Sequence, residues 1–246
     1  MSLLKSGLRS GLRAVGYEIS KIPPASSTDV ADVPDLDLYR PTFSPWYGEG
    51  EFKRYHDLAA PRTLVSPDRC YVLYCLAKQA LHVPGDFWEC GVYKGGTAAM
   101  LAEILKTSST DKKLYLFDTF EGMPETDPNF DWHKRGDFCD TSLDAVAGSI
   151  GAVDRCVFKK GRIPETFSGL DDAKIAFAHI DVDIYHAIKD CLEFIWPRLS
   201  RGGFIVSDDY GFVTCAGARA AVDEFFEGKP VVPLCLPTGQ SIIFKS

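Results

Sequence analysis

The sequence has no run of eighteen apolar residues, no CxxC pair, no internal repeat and no basic excess. Each absence removes a class of protein. Without a long apolar run there is no membrane-spanning helix, and no apolar block followed by a small-residue cleavage site marks a secretory leader. The eight cysteines, several inside apolar runs such as FWEC and PLCLP, read as reduced, buried thiols, which implies a cytoplasmic location. The five histidines do not fall at ligand spacing, so a zinc site is not expected. A net charge of -7 and a pI near 5.3 leave out the basic footprint that a nucleic acid needs. Neither GxGxxG nor a P-loop is present, which argues against nicotinamide and nucleoside-triphosphate sites.

What is present is an α/β pattern. Hydrophobic residues are 46% and charged residues 25% of 246, enough for a large core. Residues 1–60 form an N-terminal extension, with 61–246 as the main domain. Leu4, Leu8, Leu12 and Val15 at helical spacing, with Lys5, Arg9, Arg13 and Lys21 against Glu18, give a basic amphipathic helix. It is read as packing on its own domain or a second subunit, in a homo-oligomer, with weak contact to a membrane surface by residues 3–15 as the other use. Five prolines break residues 22–50, whose aromatic end (Tyr39, Phe43, Trp46, Tyr47, Phe52) is read as packing back on the domain or closing over a pocket.

Helices are expected over 67–82, 95–105, 141–150 (capped by Thr141), 184–199 and 214–227. Strands are expected over 86–92, 113–119, 156–159, 175–181 and 204–207. Apolar runs on either side of Thr238-Gly239-Gln240 make a closing hairpin, so the last strand runs antiparallel in an otherwise parallel sheet of seven strands. The acidic, aromatic loop over 120–141 reads as a lid.

Two stretches carry chemistry. In FWECGVYKGGT, a strand runs through a glycine turn into a helix; Gly91 allows the turn, Gly95 and Gly96 allow close approach, and Glu89 points to the same side as Gly91. Asp118 follows Gly96 by 22 residues, at the end of the second strand, where an acid accepts hydrogen bonds from ribose; its other reading is a turn cap. The second stretch pairs AFAHIDVDIY with GFIVSDDYG. Asp181, Asp183, Asp208 and Asp209 end two strands, and since alternate strand residues share a face, Asp181 and Asp183 lie together as one metal ligand and one nearby base. Clustered carboxylates call for a cation, and Mg²⁺ suits them; helix capping accounts for one acid at each end. His179, inside a buried strand, reads as a satisfied core residue, while Arg162 and Lys160 are divided between the site and solvent.

Taken together, ECGVYKGGT, LFDTFEGMPETD, the GDF at 136–138, HIDVDIY and SDDYG resemble the macrocin O-methyltransferase family over about residues 60–246. The resemblance implies a Rossmann-like class I methyltransferase fold, S-adenosyl-L-methionine as cofactor and a requirement for Mg²⁺. It makes Asp181, Asp208 and Asp209 the metal ligands and Asp183 the general base. It assigns Glu89, Gly91 and Thr97 to the methionine part of the cofactor and Asp118 to its ribose. Tyr93, Gly95 and Asp181 join the cofactor site, with Phe120, Glu121, Gly136, Asp137 and Ser142 over the adenosine. The implied activity is O-methylation of a sugar or glycosylated small molecule. A catechol-type methyltransferase and a non-catalytic adenosine-cofactor-binding scaffold are the alternatives.

Overall fold

The computed structural model describes residues 43–246, and contacts divide the chain between Ser44 and Pro45. The expected basic helix and most of the proline-broken segment lie outside the described residues. The unit Pro45–Ser246 opens with two helices, α1 (Glu51–Ala59) and α2 (Pro67–Ala80). Then β1 (Asp86–Cys90), α3 (Gly96–Thr107), β2 (Leu114–Asp118), α4 (Leu143–Ser149), β3 (Cys156–Lys160) and β4 (Ile175–Ile180) follow. The chain ends with α5 (Tyr185–Arg198), β5 (Leu199–Ser207), α6 (Ala216–Phe226), β6 (Leu234–Cys235) and β7 (Ser241–Phe244).

The strands form one sheet in the order β3-β2-β1-β4-β5-β7-β6. β3, β2, β1, β4 and β5 are parallel, and β7 pairs antiparallel with both β5 and β6, as the terminal hairpin requires. The strand period of two sorts the sheet's faces. Phe87 and Phe177 join α1, α2 and α3 in one core, whereas Trp88, Ala178 and Ile180 join α5 and α6 in the other.

Three local expectations change. Helix α1 falls within the expected extension, yet Phe52, Tyr55 and Ala59 are buried in the main core, because their i, i+3, i+7 spacing puts them on one face toward α2 and α3. Trp46 packs on Tyr71 beside them, while Tyr47 stays exposed. The cap of α4 is Ser142, not Thr141: Ser142 Oγ accepts from the Ala145 amide, and the Thr141 hydroxyl is taken by the Tyr93 carbonyl. Strand β5 begins at Leu199 rather than 204, since Gly202 and Gly203 let the chain pass straight from α5 into the sheet.

Candidate active site

The order of the sheet reverses between β1 and β4, where an open α/β sheet binds its ligands. Register sets the site. Cys90 pairs with Phe117 on one side and Ile180 on the other, and Ile180 with Ser207. One residue further on, Asp118, Gly91, Asp181 and Asp208 therefore stand in a row across four strand ends, stitched by Gly91 N to Phe117 O (2.9 Å), Asp181 N to Cys90 O (2.8 Å) and Asp208 N to Ile180 O (2.9 Å). Above the row lies a cleft of about 270 Å³, lined among others by Gly91, Tyr93, Thr97, Asp118, Asp181, Asp183 and Asp209.

Two residues earlier, on the same face, the strands carry Glu89 and His179. Both are fully buried. His179 Nδ1 lies 2.9 Å from Glu89 Oε1 and its Nε2 lies 3.4 Å from Asp208 Oδ1. Burial works against a charged imidazole, but the bonds to Asp208 and Glu89 outweigh it and hold His179 well above its ordinary pKa. His179 is thus satisfied in the core, as expected, and it also links two acids of the site. Asp208 accepts further from the Gln240 amide at 2.7 Å and pairs with Arg69. Burial would raise its pKa; His179, Arg69 and Gln240 bring it below the ordinary range.

Asp181 and Asp209 are compensated less: His179 and Arg69 act on Asp181 only through space, and the Asp183 amide is the lowering contact of Asp209. Burial, then the charge of neighbouring carboxylates, raises both well above the usual carboxylate range. Asp209 spends Oδ2 on the Asp183 amide at 3.1 Å. Asp183 adopts a left-handed backbone, φ 59°, which turns its side chain toward loop 120–141 and α6. There its Oδ1 lies 3.6 Å from His133 Nε2 and 3.6 Å from Cys215 Sγ. Burial raises its pKa as well.

The donor set fits a hard cation in part. Asp181 and Asp209 line the cleft and are short of positive charge, and an Asp208 oxygen lies within 4.8 Å of one from Asp181. Asp208, however, already carries Arg69, Gln240 and His179.

Several other expected contacts fall elsewhere. Asp118 accepts the amides of Val92 (2.7 Å), Tyr93 (3.0 Å) and Phe120 (2.6 Å), so in this structure it caps the turns at two strand ends. Glu89 lies one strand row beneath the cleft wall, and its Oε2 has no hydrogen-bond partner among the described residues. At the glycine turn it is protein that comes close: a Cβ on Gly91 would sit 1.8 Å from Asp181 O, and one on Gly96 would sit 2.7 Å from Thr63. Gly95 faces Val146 of α4 in the same way. Phe120 is buried against Phe158, Glu121 is exposed and paired with Lys160 at 2.6 Å, and Gly136 is exposed. Asp137 binds His133 Nδ1 at 3.2 Å and the Lys134 amide at 3.0 Å, and Ser142 caps α4.

The loop expected to act as a lid does border the cleft, through Met123, Pro124, His133 and Phe138. It is held to the glycine turn by Tyr93 Oη to Asp140 at 2.8 Å and by the Lys94–Asp140 pair. Arg62, Arg69, His133, Phe212 and Cys215 also line the cleft and were not anticipated; Arg162 joins them. The one local signal was the i, i+4 spacing of His133 and Asp137.

The family model described as Macrocin-O-methyltransferase (TylF) matches residues 63–233. The chain belongs to the macrocin-O-methyltransferase family. It is 32% identical to the 8-demethyl-8-(2,3-dimethoxy-alpha-L-rhamnosyl)-tetracenomycin-C 4'-O-methyltransferase of Streptomyces olivaceus, over 55% of this chain and 57% of that protein. It is 31% identical to the mycinamicin III 3''-O-methyltransferase of Micromonospora griseorubida, over 66% of this chain and 69% of that one. The chain thus spans little more than half the length of the first of these relatives. The solved O-methyltransferase NovP has the same fold, with a TM-score of 0.68 at 22% identity, covering 75% of this chain and 82% of that one. The seven-stranded mixed sheet is that of the class I O-methyltransferases.

Proposed function

We propose that this member of the macrocin-O-methyltransferase family transfers a methyl group from S-adenosyl-L-methionine to a hydroxyl of a sugar or glycosylated small molecule, assisted by Mg²⁺. The observation that carries the reading is the set of acids at and just after the strand ends, which puts Asp181, Asp183 and Asp209 together on the cleft that the glycine turn borders. Both named relatives are sugar O-methyltransferases, which favours a glycosidic acceptor over a catechol.

Bound in the cleft, the sulfonium donor would supply an electrophilic methyl, and a cation held by Asp181, Asp209 and an oxygen of Asp208 would favour the ionised acceptor hydroxyl. The chain's own part is positional and basic. Asp183 would accept the hydroxyl proton, and transfer of the methyl from sulfur to that oxygen would leave S-adenosylhomocysteine and a methyl ether. Its location above the row, reached through the left-handed turn, aims it at the acceptor side of the cleft. Glu89 Oε2 is the buried carboxylate oxygen without a partner among the described residues, and an ammonium is the group that would satisfy it. Thr97, at the start of α3, and the amide ends of that helix face the same space.

The test is methyl transfer to a rhamnoside diol against a catechol, with Mg²⁺ and with EDTA. The sugar is expected to be methylated, EDTA to stop the reaction and added Mg²⁺ to restore it. Turnover untouched by EDTA refutes the cation's role, and preference for the catechol refutes the acceptor class.

A further inference from the structure

One cluster at the cleft is not used by that chemistry as a set. His133 Nε2, Asp183 Oδ1 and Cys215 Sγ all lie within 4.8 Å of one another, and all three residues line the cleft. They come from three separate parts of the chain, the loop before α4, the turn after β4 and the start of α6, so no sequence spacing announces them. We infer that these three side chains form a second metal site, selective for a thiophilic divalent ion of the Zn²⁺ class and distinct from the carboxylate site at the strand ends.

The distances support a shared ion. With zinc bonds of about 2.1 Å to oxygen and nitrogen and about 2.3 Å to sulfur, tetrahedral angles separate nitrogen from oxygen by about 3.4 Å and sulfur from oxygen by about 3.6 Å. The structure has 3.6 Å for His133–Asp183 and 3.6 Å for Cys215–Asp183. Two of the three separations therefore match, to within a few tenths of an ångström, the geometry an ion imposes, and the third, His133 to Cys215, lies within 4.8 Å.

A second observation is independent of that closeness. The other ring nitrogen of His133, Nδ1, lies 3.2 Å from Asp137 Oδ2. A histidine that holds a metal usually hands its far N–H to a carboxylate, which fixes the tautomer and points the ligating lone pair at the ion. Here the other ring nitrogen, Nε2, lies 3.6 Å from Asp183 Oδ1. Asp137 is itself set by the Lys134 amide at 3.0 Å, so the orienting shell is in place.

The donor chemistry decides which ion. One imidazole, one thiol and one carboxylate favour zinc, cobalt or copper over magnesium, which prefers oxygen alone. Three protein ligands leave a fourth position open to the cleft. Binding releases the thiol proton of Cys215 to solvent. An ion there takes up the Asp183 oxygen, so the site is inhibitory; that consequence rests on the methyl-transfer reading, whereas the binding does not.

The experiment uses the full chain, stripped by a chelator, dialysed and titrated with Co²⁺ in excess Mg²⁺. One equivalent of thiolate-to-cobalt charge-transfer absorption is expected, bleached by Zn²⁺. Cys215→Ser should abolish the band. His133→Gln, on a partly exposed loop side chain whose loss leaves the core untouched, should weaken Co²⁺ and Zn²⁺ binding at least ~10-fold, and Asp137→Asn by about 10- to 100-fold. No band in the wild type, a band that survives Cys215→Ser, or unchanged affinity in His133→Gln overturns the inference. Because the read-out is a metal–thiolate spectrum, its failure and the failure of methyl transfer are separate results.

Discussion

Gly91→Ala is the substitution that asks most of this structure. A Cβ at residue 91 would lie 1.8 Å from Asp181 O and 2.6 Å from its carbonyl carbon, and the backbone there has φ 87°. Side-chain carbons do not approach backbone oxygen within about 3 Å, so β1 and β4 must part by more than an ångström at their ends. The bond across that seam is Asp181 N to Cys90 O at 2.8 Å, whereas Gly91 N to Phe117 O ties β1 to β2 on its other side. Leaving the buried groups of that seam bond unpaired costs about 1–3 kcal/mol, and the left-handed backbone of an alanine about 1–2 kcal/mol. The total is about 2–5 kcal/mol, a fall of at least about 4 °C in melting temperature for a domain of this size. Calorimetry measures it, with Gly148→Ala as the control. That glycine lies in α4 with nothing near its missing Cβ, and alanine there should stabilise by about 0.5–1 kcal/mol. A Gly91→Ala protein that melts within about 2 °C of the wild type refutes the account of the strand-end row.

Two further outcomes concern the chemistry. Asp183→Asn should lower kcat by about 10²- to 10⁴-fold while S-adenosylmethionine binding stays within about twofold; near-normal turnover removes Asp183 from the base role. Glu89→Gln should weaken S-adenosylmethionine binding by about 10- to 100-fold in calorimetric titration, the scale of one charged hydrogen bond; unchanged affinity shows that Oε2 meets no ammonium.

The strand-end row was legible in the sequence because strands obey a period of two and end where apolar runs end. AFAHID and GFIVSD announced both strand and acid, and adjacency in the sheet did the rest. The meaning of the glycines was less legible. A Gly-rich turn says that something comes close, and nothing local tells a ligand from the carbonyl of a strand ninety residues away. Asp118 shows the same limit: an acid after a strand can cap turns or bind ribose, and here it accepts three amides while still lining the cleft, so capping does not decide between the two. Arg69, His133 and Cys215 were invisible as site residues, since tertiary packing alone brings α2, the long loop and α6 to the acids. The one-residue shift of the α4 cap was decided by which hydroxyl the neighbouring Tyr93 carbonyl takes.

The buried charges also explain why two acids in particular are left wanting a cation. Glu89, His179, Asp208 and Arg69 run in sequence from β1 through β4 and β5 to α2, alternating acid and base. A base thus stands beside each acid, which is how Glu89 and Asp208 can both be fully buried. The column ends there. Asp181 stands beside it and feels His179 and Arg69 only through space, and Asp209 follows it in sequence; burial and the neighbouring carboxylates outweigh what reaches them, so their proton affinities rise where that of Asp208 falls. A divalent ion placed between them would supply the two charges that the column does not extend to them. The fold thus pairs Glu89 and Asp208 with its own basic residues and leaves Asp181 and Asp209, on the cleft, without such a pairing.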